Sequence, residues 1–188
     1  TVSAMGDSTD ELLAAAGELS SSPDRRELDV LLSTGELKAC ALVSIALNEK
    51  GKKAVSLSGH QAGITTNSTH GNARISGFDS SRIDRELLHG NIVVVAGFQG
   101  ANEGMDVTTL GRGASDLTAV VLAAGLGADK CEIYSDVDGI YTCDPRMVTK
   151  AKMLERISYE EMLEFASLGA KVLQTRSVEM AMRHNVIV

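Results

Sequence analysis

Short β-branched runs alternating with helical stretches constrain this chain's fold more than any other feature of its sequence. Ala54–Leu57, Ile92–Ala96 and Cys131–Tyr134 are brief and bounded by turn residues, and the second is apolar throughout, as suits a strand covered on both faces. Thr1–Met5 reads as the tail of another strand, followed by a turn over Gly6–Thr9 and a helix over Asp10–Leu19 that ends at the Ser20–Pro23 break. Helical spacing of Leu37, Ala41, Leu42, Ile45 and Ala46 predicts a helix over Glu36–Asn48, starting after Ser33-Thr34-Gly35 and stopped by Gly51. Further helices are predicted over Arg82–His89, Ser115–Leu126 with Ser115 or Asp116 as cap, Tyr159–Ala166 and Ser177–His184, with a last strand at Val186–Val188. The alternation predicts an α/β fold, a mainly parallel sheet with helices on both faces. Ligands of such sheets sit beyond the carboxyl ends of the strands, which points to the loops after Ala4, Ala96 and Tyr134.

At 188 residues one domain is expected, and 44% hydrophobic against 23% charged residues predicts a packed core. A formal net charge of -7 gives no basic face for nucleic acid or anionic lipid. The longest apolar runs, around Ile92–Phe98 and Leu117–Leu126, are too short to predict a membrane span, and no leader-like segment opens the chain. Cys40, Cys131 and Cys143 are odd in number and widely spaced, so no disulfide framework or zinc site is expected, and the cytoplasm is the expected compartment.

The segment richest in chemistry is Thr108-Thr109-Leu110-Gly111-Arg112-Gly113-Ala114-Ser115-Asp116, a glycine-rich loop that runs into a helix N-terminus. Loop amides and the helix dipole favour an anion there. Arg112, between two glycines, can fork onto a carboxylate or phosphate, and Asp116 has the charge for an ammonium. Together they suit an α-amino acid. Without a Gly-Lys-[Ser/Thr] the loop is not a Walker A motif, nor does it have the Gly-x-Gly-x-x-Gly dinucleotide pattern. A second cluster, Ser135 to Arg146, follows a strand-like run and mixes acids, Tyr141 and Arg146 around turn residues. Its Asp-x-Asp-Gly start is not an EF-hand, because the glutamate at the twelfth position is missing. His60, His70, His89 and His184 are scattered and read as structural or surface residues, with only His70 inside a motif.

Seven strings in order resemble the aspartate kinases of the amino acid kinase family: Val2 to Leu12, Ser33-Thr34-Gly35-Glu36, His70-Gly71-Asn72-Ala73-Arg74-Ile75, Val95-Ala96-Gly97-Phe98-Gln99-Gly100, the Thr-Thr-Leu-Gly-Arg-Gly loop, Tyr134 to Arg146, and Ser167 to Leu173. The resemblance implies a three-layer αβα sandwich over residues 1–188, a partial catalytic domain. It implies phosphoryl transfer from ATP, with Mg²⁺, to the β-carboxylate of L-aspartate, the first step toward lysine, threonine and methionine. On this resemblance Ser3, Thr9, Glu36, Arg112 and Asp116 bind aspartate, and Ser135, Asp136, Tyr141, Arg146 and Lys171 bind the nucleotide. Arg112, Asp116 and Lys171 act in catalysis, no residue is assigned to a metal, and the protein is expected to be a homo- or hetero-oligomer. An ionised carboxylate acceptor needs no general base, so alignment and charge neutralisation carry the reaction.

Family members have a Lys-[Phe/Tyr]-Gly-Gly segment before the first string and ACT domains after the last, so these 188 residues are expected to be inactive alone. Ala114 and Leu117 stand where Gly and a hydroxyl residue are usual, and Ala114 requires a φ below zero. The alternatives are a kinase of another acidic metabolite, which would not need Glu36 and Asp116 for a free ammonium, and a non-catalytic binding fragment.

Overall fold

The computed structural model describes residues 1–167 and 173–188. Pro23 and Asp24 fix the start of its longest helix. The Asp24 carboxylate accepts from the N–H groups of Arg26 and Glu27, satisfying donors that the first turn leaves open, after the short helix α1 (Ser8–Leu19) and before α2 (Arg25–Glu49). The sequence places the start of α2 at Glu36, eleven residues too late. Gly35, the supposed boundary, is inside the helix, because a Cβ there would lie only 3.0 Å from the Ala4 Cβ. Glycine costs a helix about 0.5–1 kcal/mol, and here it lets α2 come up against the first extended segment. Glu36 therefore sits in mid-helix rather than at a helix start.

Two parallel strands, β1 (Ala54–Leu57) and β4 (Ile92–Val95), pair in register, and Val2 bridges Ala96 in parallel. Side chains alternate across this sheet. Val95 and Leu57 pack with Ile83 of α3 (Ser81–Leu88) and Leu122 of α4 (Ala114–Leu126), whereas Val94 and Ala96 pack with Cys40 and Leu47 of α2. Helices thus cover both faces, giving the expected three-layer α/β sandwich. By length and composition α2 could cross a membrane. It is a core helix, packed on β1 and β4 and burying Asp29, Ser33, Glu36 and Ser44.

A second sheet has the order β3–β2–β5–β6, from Ile75–Phe78, Ile64–Thr66, Gln99–Ala101 and Val107–Thr109. Its β2–β5 pair is parallel, and β2–β3 and β5–β6 are antiparallel. Beyond β6 the chain passes Gly111 and Gly113, both at positive φ, and enters α4. Gly113 occupies the N-cap and no side chain caps the helix, so neither Ser115 nor Asp116 has the capping role read from sequence. Ala114 begins the helix and is free of the positive φ that its side chain would resist.

Two expected strands are absent. Cys131–Tyr134 and Val186–Val188 run beside each other but share a single backbone bond, from the Cys131 N–H to the Ile187 carbonyl at 2.7 Å, which is too little pairing to form a ladder. Between them in the chain lie α5 (Tyr159–Ser167) and α6 (Thr175–His184), which pack together, with α6 also against α4.

Candidate active site

The loop after β6 closes one side of a cavity of about 640 Å³. Ser3 and Ala4 enter it from the first extended segment, Thr9 from the first turn of α1, Asp29 and Glu36 from α2, and Ser115 and Asp116 from the start of α4. All five residues that the sequence groups around aspartate (Ser3, Thr9, Glu36, Arg112 and Asp116) line this one cavity. Their convergence follows from topology: the first extended segment, α2 and the β6–α4 loop meet at one end of the parallel sheet.

Glu36 is only 4% exposed. Its Oε1 accepts from the Ala4 N–H at 3.2 Å, while Oε2 is buried with no partner. Burial pushes its carboxyl above the ordinary glutamate value, opposed more weakly by the backbone bonds. Burial also raises Asp116, although it sits in a helix first turn where the dipole favours an anion. Arg112 is exposed, and its guanidinium has no hydrogen bond or ion pair among the described residues. Its backbone is held, since its carbonyl accepts from Gln174 Nε2 at 3.0 Å. One buried acid, one half-buried acid and one uncommitted guanidinium around a single space can receive a zwitterion, ammonium to the acids and carboxylate to the arginine.

Asp29 also lines the cavity and has no place in the sequence reading. Its carboxylate accepts from His70 Nδ1 at 2.8 Å, the Gly71 N–H at 3.0 Å and the Thr109 hydroxyl at 2.5 Å. Asp29 and Glu36 are seven residues apart, two turns of one helix face. That spacing was available in the sequence, and only the late helix start concealed it. His70, read as structural or surface, lines the cavity with Gly71 and Asn72.

Of the residues grouped around the nucleotide, the described ones are not brought into this cavity. Ser135, Asp136 and Arg146 are exposed, and Tyr141 is half-buried where its backbone bridges Met153. Arg146 is spent on Asp144, with Nε to Oδ1 at 3.1 Å and an Nη to Oδ2 at 3.0 Å. Lys171 lies outside the described residues.

The model of the amino acid kinase family matches residues 1–188. The chain belongs to the amino acid kinase family. An aspartokinase from Geobacillus stearothermophilus is 58% identical over 185 residues, covering 98% of this chain and 46% of that protein. A crystal structure of aspartate kinase from Synechocystis superposes with a TM-score of 0.85 at 48% identity, covering 98% of this chain and 30% of its own. Aspartokinase III of E. coli in complex with aspartate and ADP gives a TM-score of 0.78 at 32% identity, over 94% of this chain and 40% of that one. The chain thus spans less than half the length of these family members.

In this member of the family the loop after β4 is strained and held from α4. Phe98 has φ 67°, costly for a bulky side chain, and its N–H donates to the Thr118 hydroxyl at 3.1 Å, which in turn donates to the Ala114 carbonyl at 3.0 Å. Thr118→Val keeps the volume but leaves the Phe98 N–H unmatched. It should cost about 1–3 kcal/mol in urea unfolding. An unchanged unfolding midpoint would show that the hydroxyl does not hold this loop.

Proposed function

We propose that this chain carries the acceptor half of an aspartate kinase, which moves the γ-phosphoryl of ATP to the β-carboxylate of L-aspartate and yields 4-phospho-L-aspartate. The observation that carries the reading is the buried, unpartnered Oε2 of Glu36 in a cavity shared with Arg112 and Asp116. A carboxylate so placed is stabilised by an ammonium and by little else of this size. The aspartokinases among its relatives, one of them in complex with aspartate and ADP, agree with it.

Arg112 takes the α-carboxylate, Glu36 and Asp116 take the ammonium, and the hydroxyls of Ser3 and Thr9 orient the β-carboxylate. A β-carboxylate oxygen attacks the γ-phosphorus, the bond from that phosphorus to the ADP oxygen breaks, and no proton moves. No general base is needed. The second substrate is ATP with Mg²⁺ on its phosphates, where the ion neutralises charge. Among the described residues no three His, Cys, Asp or Glu side chains converge, so no residue of this chain is assigned to the ion. Ser135, Asp136, Tyr141, Arg146 and Lys171 are assigned to the nucleotide, and transfer rests on holding the two anions in line. The product belongs at the head of a route to lysine, threonine and methionine.

The test is a coupled ADP-release assay on the protein at its natural full length, with aspartate, N-acetylaspartate and glutamate as acceptors. Aspartate alone should support rapid turnover. Equal turnover with N-acetylaspartate would remove the role given to the two acids, and ADP release independent of any acceptor would remove the kinase reading.

A further inference from the structure

Asp29 is 1% exposed and has no Lys or Arg partner among the described residues. A carboxylate withdrawn from water this far is strongly destabilised unless donors replace its hydration. The donors are supplied by two cavity walls. Thr109 and the Gly71 N–H serve Oδ1, and His70 serves Oδ2, which also lies 3.1 Å from the Gly71 nitrogen. With the Asp29 oxygen as acceptor, the ring hydrogen of this bond sits on His70 Nδ1. Nε2 has no hydrogen-bond partner among the described residues.

A buried acid can be a structural tie and nothing more. The location of its ties argues for more. His70 and Gly71 form one wall of the cavity, and Thr109 is three residues before Arg112 on the other. The two walls are joined directly by the Ala73 N–H donating to the Thr109 carbonyl at 2.8 Å. Asp29 fastens that pair to α2, the helix that presents Glu36 two turns further on. The distance between the group for the ammonium and the group for the α-carboxylate is therefore set through Asp29.

We propose that Asp29 is a positioning residue of the acceptor pocket: it locks the His70–Asn72 and Thr109–Arg112 segments to α2 and holds His70 as the Nδ1–H tautomer, leaving Nε2 to the pocket. The proposal rests on the aspartate reading for its substrate, and its geometric part is measurable without it. The variants are Asp29→Asn and Thr109→Val, both near-isosteric, in the full-length protein.

With Asp29→Asn the KM and Kd for aspartate should rise about tenfold or more, since misplacing a binding group by about 1 Å can cost up to 10²-fold, while the KM for ATP stays within about twofold. The ¹⁵N pattern of the His70 ring should change from Nδ1–H to Nε2–H, because the asparagine amide can donate to Nδ1. Amide exchange at Gly71 and Arg112 should accelerate about tenfold. Thr109→Val should weaken aspartate in the same direction without changing the ring tautomer, and it carries the affinity measurement if Asp29→Asn does not fold. A lower melting temperature with unaltered aspartate affinity in the folded protein would reduce Asp29 to a structural tie. An unchanged tautomer together with unchanged amide exchange would overturn the proposal outright. If the wild-type protein neither binds nor phosphorylates aspartate, the substrate reading fails, and the ring and amide measurements still decide what Asp29 does.

Discussion

Arg112→Ala should weaken aspartate binding by about 1.5–3 kcal/mol, roughly tenfold to 150-fold, and leave ATP affinity within about twofold. The size reflects the forked, charge-assisted pair of hydrogen bonds that one end of the substrate would no longer receive. Selectivity follows from position, because Arg112 lines the cavity with Glu36 and Asp116, whereas Arg146 and Asp136 lie away from it. Stability should not confuse the result. The Arg112 side chain is exposed and bonds to no partner among the described residues, so truncating it leaves the fold's own interactions in place. Arg112→Lys is the sharper control, since it keeps the charge without the fork, and it should recover only part of the affinity. Calorimetric titration of each variant with aspartate and with Mg-ATP decides the matter. Equal losses for the two ligands would assign Arg112 to the phosphates instead.

The aspartate group was legible in the sequence because its chemistry is carried by residue type and local order. Arg112 between two glycines, and Asp116 four residues later at a helix start, describe a charged loop wherever the fold places it. Ile92–Ala96 was legible because it is apolar without interruption, as suits a strand covered on both faces, and Ala54–Leu57 because it is a short run bounded by turn residues. The strands β2, β5 and β6 were not, since Ile64–Thr66, Gln99–Ala101 and Val107–Thr109 have three residues each and owe their conformation to partners distant in sequence. Asp29 was missed for a different reason. Taking Gly35 as a helix boundary cut α2 in two, and the i, i+7 relation to Glu36 can only be seen on an unbroken helix. Gly35 is there for its close approach to Ala4, which no local pattern announces.

Glu36→Gln should abolish most aspartate affinity and at the same time make the ligand-free protein more stable. Removing one partner of a buried ion pair costs about 3–5 kcal/mol, so aspartate should bind a hundredfold or more weakly, while succinate, which has no amine, should change little. The gain in stability follows from burial. With Oε2 unpartnered, burial raises the Glu36 carboxyl above the ordinary glutamate value, so ionising it in the folded protein costs more than in the unfolded chain. A folded-state pKa raised in this way gives stability that is complete below the unfolded value and is lost as pH rises through the folded one. The wild type carries a penalty that grows as pH rises above the ordinary glutamate value, and near pH 4 it carries almost none. Glutamine never ionises, so the mutant should melt higher at pH 8, by about 2–4 °C for each kcal/mol relieved, and the difference should shrink toward zero at pH 4. Asp116 is raised by burial too, but it is common to both proteins and largely cancels in the comparison. Saturating aspartate should reverse the order at pH 8, because only the wild type gains from the ammonium. A wild type that melts above Glu36→Gln at pH 8 without ligand would show that Glu36 serves the fold, and equal losses for aspartate and succinate would show that it does not read the amine.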